Sequence, residues 1–188
     1  MATELRVIKG ALAVREQQYG RTCRGVQRPK GFQGEGRHDN PAAYGCLYLS
    51  EHPLSCVVEQ LARFRGQRLT PALLVRRGLP LALAELELPD SAALVDLDEP
   101  AVLRRERLRP SRVATRERAI TQPQALALYE KHEAAAGLRW WSTFESQWLN
   151  VTLFDRAASA LRLVSVQALD VGGDEIAEAA DILGLRFS

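Results

Sequence analysis

The stretch Gly36 to Glu59, GRHDNPAAYGCLYLSEHPLSCVVE, constrains this chain more than any other, because it prescribes a loop, a strand and a helix in immediate succession. The polar loop leads into the apolar strand Leu47-Tyr48-Leu49, which breaks between Ser50 and Pro53. Pro53 suits a first helical position: its fixed φ is already helical, and its missing N–H is one the first turn does not need. Leu54, Val57, Val58, Leu61 and Phe64 then recur at helical spacing and form one apolar face. At 100° per residue, Glu59 projects from roughly the opposite side. A cation (Arg37), an aromatic ring (Tyr48) and an anion (Glu59) are thus carried on three consecutive elements, which is how a cleft is built. On periodicity alone, however, Glu59 reads as a solvent-facing partner of Arg63, four residues on, an exposed pair worth about 0.3–0.5 kcal/mol.

The remaining segments supply a sheet and its covering helices. LRVIKGALAVRE near the start alternates enough for one or two short strands ending near Arg15. A polar, glycine-rich stretch follows as far as Pro41; its GFQGEG has neither a strand before it nor a helix after it, so a dinucleotide fingerprint fails on context. Strands are expected over Leu81–Pro89 and Ala92–Leu97, and Asp98-Glu99-Pro100 opens a short helix through Leu103. Pro123 is expected to open a helix with Leu126, Leu128 and Tyr129 on its core side, and Gly137 to stop it. GLRWWST, QWLNVTLFD and ALRLVSVQAL read as three further strands, and Asp174 as the cap of a final helix. On the first of these, Trp140 and Trp141 point to opposite faces. Strands outnumber long helices and do not alternate regularly with them, which predicts an α+β fold in a single domain over residues 1–188. A chain of that length buries about 70% of the surface its unfolded form exposes.

Composition narrows the chemistry. A net charge of +2 is too small to imply a nucleic-acid or membrane surface by itself. No apolar run approaches the roughly 18 residues of a membrane span, and MATELRVIKG lacks the apolar centre of a secretory signal, so a cytoplasmic location is expected. Cys23, Cys46 and Cys56 are odd in number and lack zinc-knuckle spacing, so they predict neither a disulfide framework nor a structural metal. Cys46 and Cys56 read as packing residues. Seven arginines lie between Arg104 and Arg118; such a run is usually a solvated face but also suits phosphate or an acidic partner, and the pattern alone does not assign it.

Four segments in order resemble the RES-domain family, the toxins found beside Xre-type antitoxins. They are Arg15 followed by Tyr19-Gly20-Arg21, the GRHDNP loop with Arg37, the LYLSEHPLSCVVE unit with Tyr48 and Glu59, and the late GLRWWST and NVTLFD pair. Together they cover roughly residues 11 to 156. The resemblance implies a split, twisted sheet with flanking helices like that of ADP-ribosylating toxins, with NAD as the substrate in a cleft beside it. It implies an enzyme that cleaves the nicotinamide–ribose bond and transfers ADP-ribose to inorganic phosphate or water. A protein side chain is the alternative acceptor, and a catalytically inactive nucleotide- or antitoxin-binding module is the non-enzymatic alternative.

The family is named for an arginine, a glutamate and a serine. These carry over as Arg15 or Arg37, Glu59, and Ser142 or Thr121, although Thr121 also suits a hydroxyl at a helix N-terminus. Arg15 and Arg37 are expected to hold the pyrophosphate, Tyr48 to stack on nicotinamide or bond a ribose, and Thr121 and Ser142 to orient the sugar. Glu59 is expected to stabilise the sugar cation. No metal is expected, because the leaving nicotinamide is already cationic. An Xre-type antitoxin is the implied protein partner, with no direct contact to nucleic acid. Glu16 and His38 depart from the family, which usually has an aromatic residue at each position.

Overall fold

The computed structural model describes residues 5–10, 33–76 and 79–187. In chain order its strands are β1 (Leu5–Gly10), β2 (Cys46–Ser50), β3 (Arg68–Leu69), β4 (Val75–Arg76), β5 (Leu79–Pro80), β6 (Ala82–Leu88), β7 (Leu94–Asp96), β8 (Gly137–Trp141), β9 (Leu149–Phe154), β10 (Arg162–Ala168) and β11 (Arg186–Phe187). The helices are α1 (Pro53–Leu61), α2 (Pro100–Glu106), α3 (Pro110–Val113), α4 (Arg118–Lys131) and α5 (Asp174–Leu183). This is the expected α+β fold. Arg15, Glu16, the Tyr19-Gly20-Arg21 segment and Cys23 lie outside the described residues.

Seven strands form one sheet in the order β10-β6-β1-β2-β9-β8-β7, with β3–β11 and β4–β5 as small two-stranded additions. The large sheet is antiparallel except at its β7–β8 edge. β1 pairs with β6 along its whole length but meets β2 only at Ile8 and Ser50. One residue pair therefore joins two sub-sheets, and this is the split in the sheet.

Period-two alternation sorts the second sub-sheet into two layers. Leu47 and Leu49 join Val151 and Leu153 in one cluster. Cys46, Leu138, Trp140 and Phe154 face the other way and pack with Leu103, Val113, Ala125 and Leu128 from α2, α3 and α4, with Tyr48 against them. Trp140 is buried in this cluster, and Trp141, half-buried, packs against the same cluster, where opposite faces were expected.

A third cluster fixes α1. Leu54, Val57, Val58 and Leu61 pack on Ile176, Ala179, Ala180 and Leu183 of α5. Each large aliphatic side chain fully buried there contributes about 1.5–3 kcal/mol. That burial sets the rotation of α1 and leaves Glu59 on its open side.

Three boundaries differ from expectation. α4 begins at Arg118, so Pro123 lies inside it rather than at its start. Proline there deprives the Ala119 carbonyl of its i+4 donor, a loss tolerated at an exposed position because solvent is a substitute partner. Gly137 does not stop α4, which ends at Lys131, but opens β8. A Cβ at Gly137 would collide with the Thr152 carbonyl, so this glycine is required by the close approach of β9. Asp174 is the first residue of α5, with Gly173 in the capping position. In addition, α2 runs on to Glu106, capped by the Glu99 side chain.

Candidate functional site

The site is built on the loop that precedes β2, and Asp39 organises that loop. One oxygen of its carboxylate accepts the N–H groups of Gly34 (2.7 Å) and Gly36 (2.8 Å). The other accepts the Tyr48 hydroxyl (2.7 Å) and the Cys46 thiol (3.1 Å). Burial pushes the Asp39 pKa up, but these four donors outweigh it and hold the pKa below 3.8. Burial first, and then the Asp39 charge, pushes the Cys46 thiol far up, so Cys46 is no nucleophile. A Cβ at Gly36 would run into the Tyr48 hydroxyl and the Asp39 carboxylate, which accounts for glycine at that point.

Tyr48 donates to Asp39 and accepts the His38 backbone N–H at 2.8 Å, so its hydroxyl is fully engaged and its ring is what the cleft receives. His38 is buried. Its Nδ1 lies 2.8 Å from Thr152 Oγ1, and its ring meets the Trp140 ring edge-on at 5.3 Å. Burial, reinforced by the Arg37 charge, lowers the His38 pKa to about 3, so the ring is neutral at physiological pH. A neutral imidazole thus fills the aromatic layer between Tyr48 and Trp140.

Arg37 is clamped between this loop and the segment that leads into α4. Its Nη1 donates to the carbonyls of Val113 (3.1 Å) and Thr115. Its guanidinium lies 4.6 Å over the Trp140 ring. Burial lowers its pKa, Glu59 and Tyr48 oppose the fall, and the group remains cationic. Thr121 donates to the Arg37 carbonyl at 2.5 Å, and Gln122 donates to the carbonyls of Gly34 (3.1 Å) and Gly36 (2.9 Å). Arg118 donates to the Glu35 carbonyl. Thr121 is therefore buried behind Arg37, and it does not line the cleft.

Glu59 faces a cleft of about 560 Å³, within the range of small-molecule sites. Ser142 donates to its Oε1 at 3.0 Å and accepts the Phe144 N–H at 3.1 Å. Ser142 is buried, one layer behind the carboxylate. Glu59 is open to solvent on the cleft side, yet the surrounding walls desolvate it and raise its pKa; the Ser142 hydrogen bond and the charges of Arg37 and Arg116 only partly offset this. It forms no ion pair with Arg63, and Arg63 instead lines the cleft separately.

The structure thus gathers Arg37, Tyr48 and Glu59 around one hollow, with Ser142 beside Glu59 and Thr121 behind Arg37. Sequence analysis left Arg116 and Arg118 unassigned within the arginine run, and it gave Asn150 no part in a cleft; all three line this one, together with Trp140. Alternation does place Asn150 on the Trp140 face, since the two are register partners. Among the described residues, arginines 37, 63, 116 and 118 against the one carboxylate of Glu59 make the lining suited to a polyanion. Among the described residues no group of three or more His, Cys, Asp or Glu is placed to hold a metal ion. No helix among them is long and apolar enough to cross a membrane.

Comparison with known proteins adds to this geometry. One solved structure similar to this chain is the toxin–antitoxin complex MbcT–MbcA of M. tuberculosis, matched at 16% identity with a TM-score of 0.64 over 97% of this chain and 90% of that one. At that identity the match shows the fold. No curated protein matches the chain. The RES domain family matches residues 14–174, an interval that holds the Asp39 loop, α1 with Glu59, and Ser142, and the chain therefore belongs to the RES-domain family.

Proposed function

We propose that this protein is a cytoplasmic NAD-consuming toxin of a toxin–antitoxin system. It cleaves the nicotinamide–ribose bond and transfers ADP-ribose to inorganic phosphate or water. The observation that carries this reading is the Glu59 carboxylate, held by Ser142 and sharing one cleft with the Arg37 guanidinium.

As the C–N bond breaks, its electron pair leaves on nicotinamide and neutralises the pyridinium, while positive charge develops on the ribose. A carboxylate already in place stabilises that charge without reorganising. Glu59 supplies it, and the Ser142 hydroxyl fixes which oxygen faces the sugar. The unoccupied edge of Arg37 binds a pyrophosphate oxygen, since Nη1 is taken by two carbonyls. The Tyr48 ring provides an apolar wall for the nicotinamide or adenine plane, beside the Arg37 guanidinium that covers Trp140. A lone pair from phosphate or water then attacks the anomeric carbon, and a proton passes to solvent.

The similar M. tuberculosis chain is described as a toxin in complex with an antitoxin. An antitoxin that covers the cleft is accordingly the proposed partner. Purified protein incubated with NAD and phosphate, with products identified by mass spectrometry, is expected to yield nicotinamide with ADP-ribose or its 1-phosphate. Intact NAD after incubation with folded protein would reject the reading; label appearing on lysate proteins instead would move the acceptor to a side chain.

A further inference from the structure

We propose that Arg116 is the anion-binding residue that selects the acceptor, receiving inorganic phosphate beside Glu59 while Arg37 keeps the dinucleotide. This rests on the NAD-cleaving function proposed above and deepens it.

Arg37 and Arg116 line the same cleft as Glu59, and both act on its charge, but they are built differently. Arg37 is half-buried, with Nη1 bonded to two carbonyls and one face on Trp140. Arg116 is exposed, and among the described residues no hydrogen bond or ion pair occupies its donors. Its guanidinium carbon lies 4.9 Å over the centre of the Phe144 ring. A ring face orients a guanidinium and leaves its N–H edge free, which is what a bidentate oxyanion site needs.

The backbone under Arg116 is anchored on both sides. Thr115 contributes its carbonyl to Arg37, and Arg118 reaches the Glu35 carbonyl. The segment is therefore tied to the cleft loop while the Arg116 side chain stays open to solvent. An acceptor must enter after the dinucleotide is seated and must approach the anomeric carbon next to Glu59. An exposed cation beside Glu59 with unoccupied donors meets both conditions, whereas the half-buried Arg37 meets only the second. Bound there, a phosphate oxygen directs its lone pair at the anomeric carbon, nicotinamide leaves with the C–N electron pair, and the product is ADP-ribose 1-phosphate.

The test has two readouts on the full chain. Calorimetry with inorganic phosphate, without NAD, is expected to show binding that weakens roughly 10- to 100-fold in Arg116→Ala and less in Arg116→Lys, in keeping with loss of a charge-assisted contact. With NAD and phosphate present, the ratio of ADP-ribose 1-phosphate to ADP-ribose is expected to fall by a similar factor in Arg116→Ala. That ratio is internal to each variant, so a general loss of activity does not move it. An unchanged ratio and unchanged phosphate binding would overturn the assignment while leaving NAD cleavage standing. If wild-type protein consumed no NAD, the parent function would fall, and the calorimetric arm alone would still decide whether Arg116 binds phosphate.

Discussion

Two carboxylates that flank β2 in the chain have opposite surroundings. Asp39, on the floor of the loop before β2, is buried and accepts four hydrogen bonds that hold its pKa low. Glu59, on the open side of α1, accepts one side-chain hydroxyl and is desolvated by cleft walls that raise its pKa. Donors crowd the first because it shapes the backbone. The second is left under-satisfied, and that is the condition in which an anion gains most from a cation forming next to it. Surroundings, more than position in the sequence, mark Asp39 as a structural anion and leave Glu59 in the state that its proposed role requires.

The largest effect should come from Glu59→Gln, which keeps shape and removes charge. NAD cleavage is expected to fall by about 100- to 1000-fold while circular dichroism is unchanged. Product analysis by mass spectrometry checks it, and turnover like wild type would make Glu59 as inert as Asp39. Asp39→Asn should act on stability instead. Whichever way the amide turns, its NH2 meets donors, so unfolding in urea should show a loss of about 2–3 kcal/mol. A variant as stable as wild type would remove Asp39 from its organising role.

A smaller change is expected from Thr121→Val, which deletes the hydroxyl bonded to the Arg37 carbonyl. Stability should drop by about 1 kcal/mol, and KM for NAD should rise more than kcat falls, because Arg37 is displaced rather than removed. The smallest effect concerns pH. The Asp39 pKa is lowered in the fold, so its contribution is present above pH 3.8, the ordinary aspartate value, and is lost as pH falls through the folded value. The Glu59 pKa is raised, so its contribution is present below pH 4.5, the ordinary glutamate value, and is lost as pH rises through the folded value. Glu59→Gln should therefore be slightly more stable than wild type at neutral pH, and Asp39→Asn less stable. Thermal melts of both variants at neutral pH and at pH 4 would test the two signs.

Several features were legible early because they are local. The Leu47–Leu49 strand, the helix opened by Pro53, and Glu59 opposite its apolar face all follow from period and proline chemistry within a few residues. Pro123 misled because a proline that suits a first helical turn is also tolerated deeper in a helix wherever the carbonyl it orphans faces water. Gly137 misled because a glycine that ends a helix cannot be told from one required by a neighbouring strand until that strand is in place.

The site divides in the same way. Serine or threonine remained open in the sequence; in the fold Ser142 reaches Glu59, while Thr121 reaches the Arg37 backbone. Asp39 carried no signal, since an aspartate in a polar loop is ordinary until its four donors converge. The arginine run was visible but could not be sorted, because hydrophobic periodicity says nothing about which exposed cation faces a cleft contributed by distant segments of the chain.

By itself the sequence determined the strand–break–helix unit, the α+β class and the four motifs of the family, because each rests on short-range periodicity or on a local pattern. Only the tertiary structure decided which hydroxyl serves the carboxylate, which arginine is clamped and which keeps its donors free. Those outcomes depend on hydrogen bonds between segments far apart in the chain, and no local pattern encodes such distances.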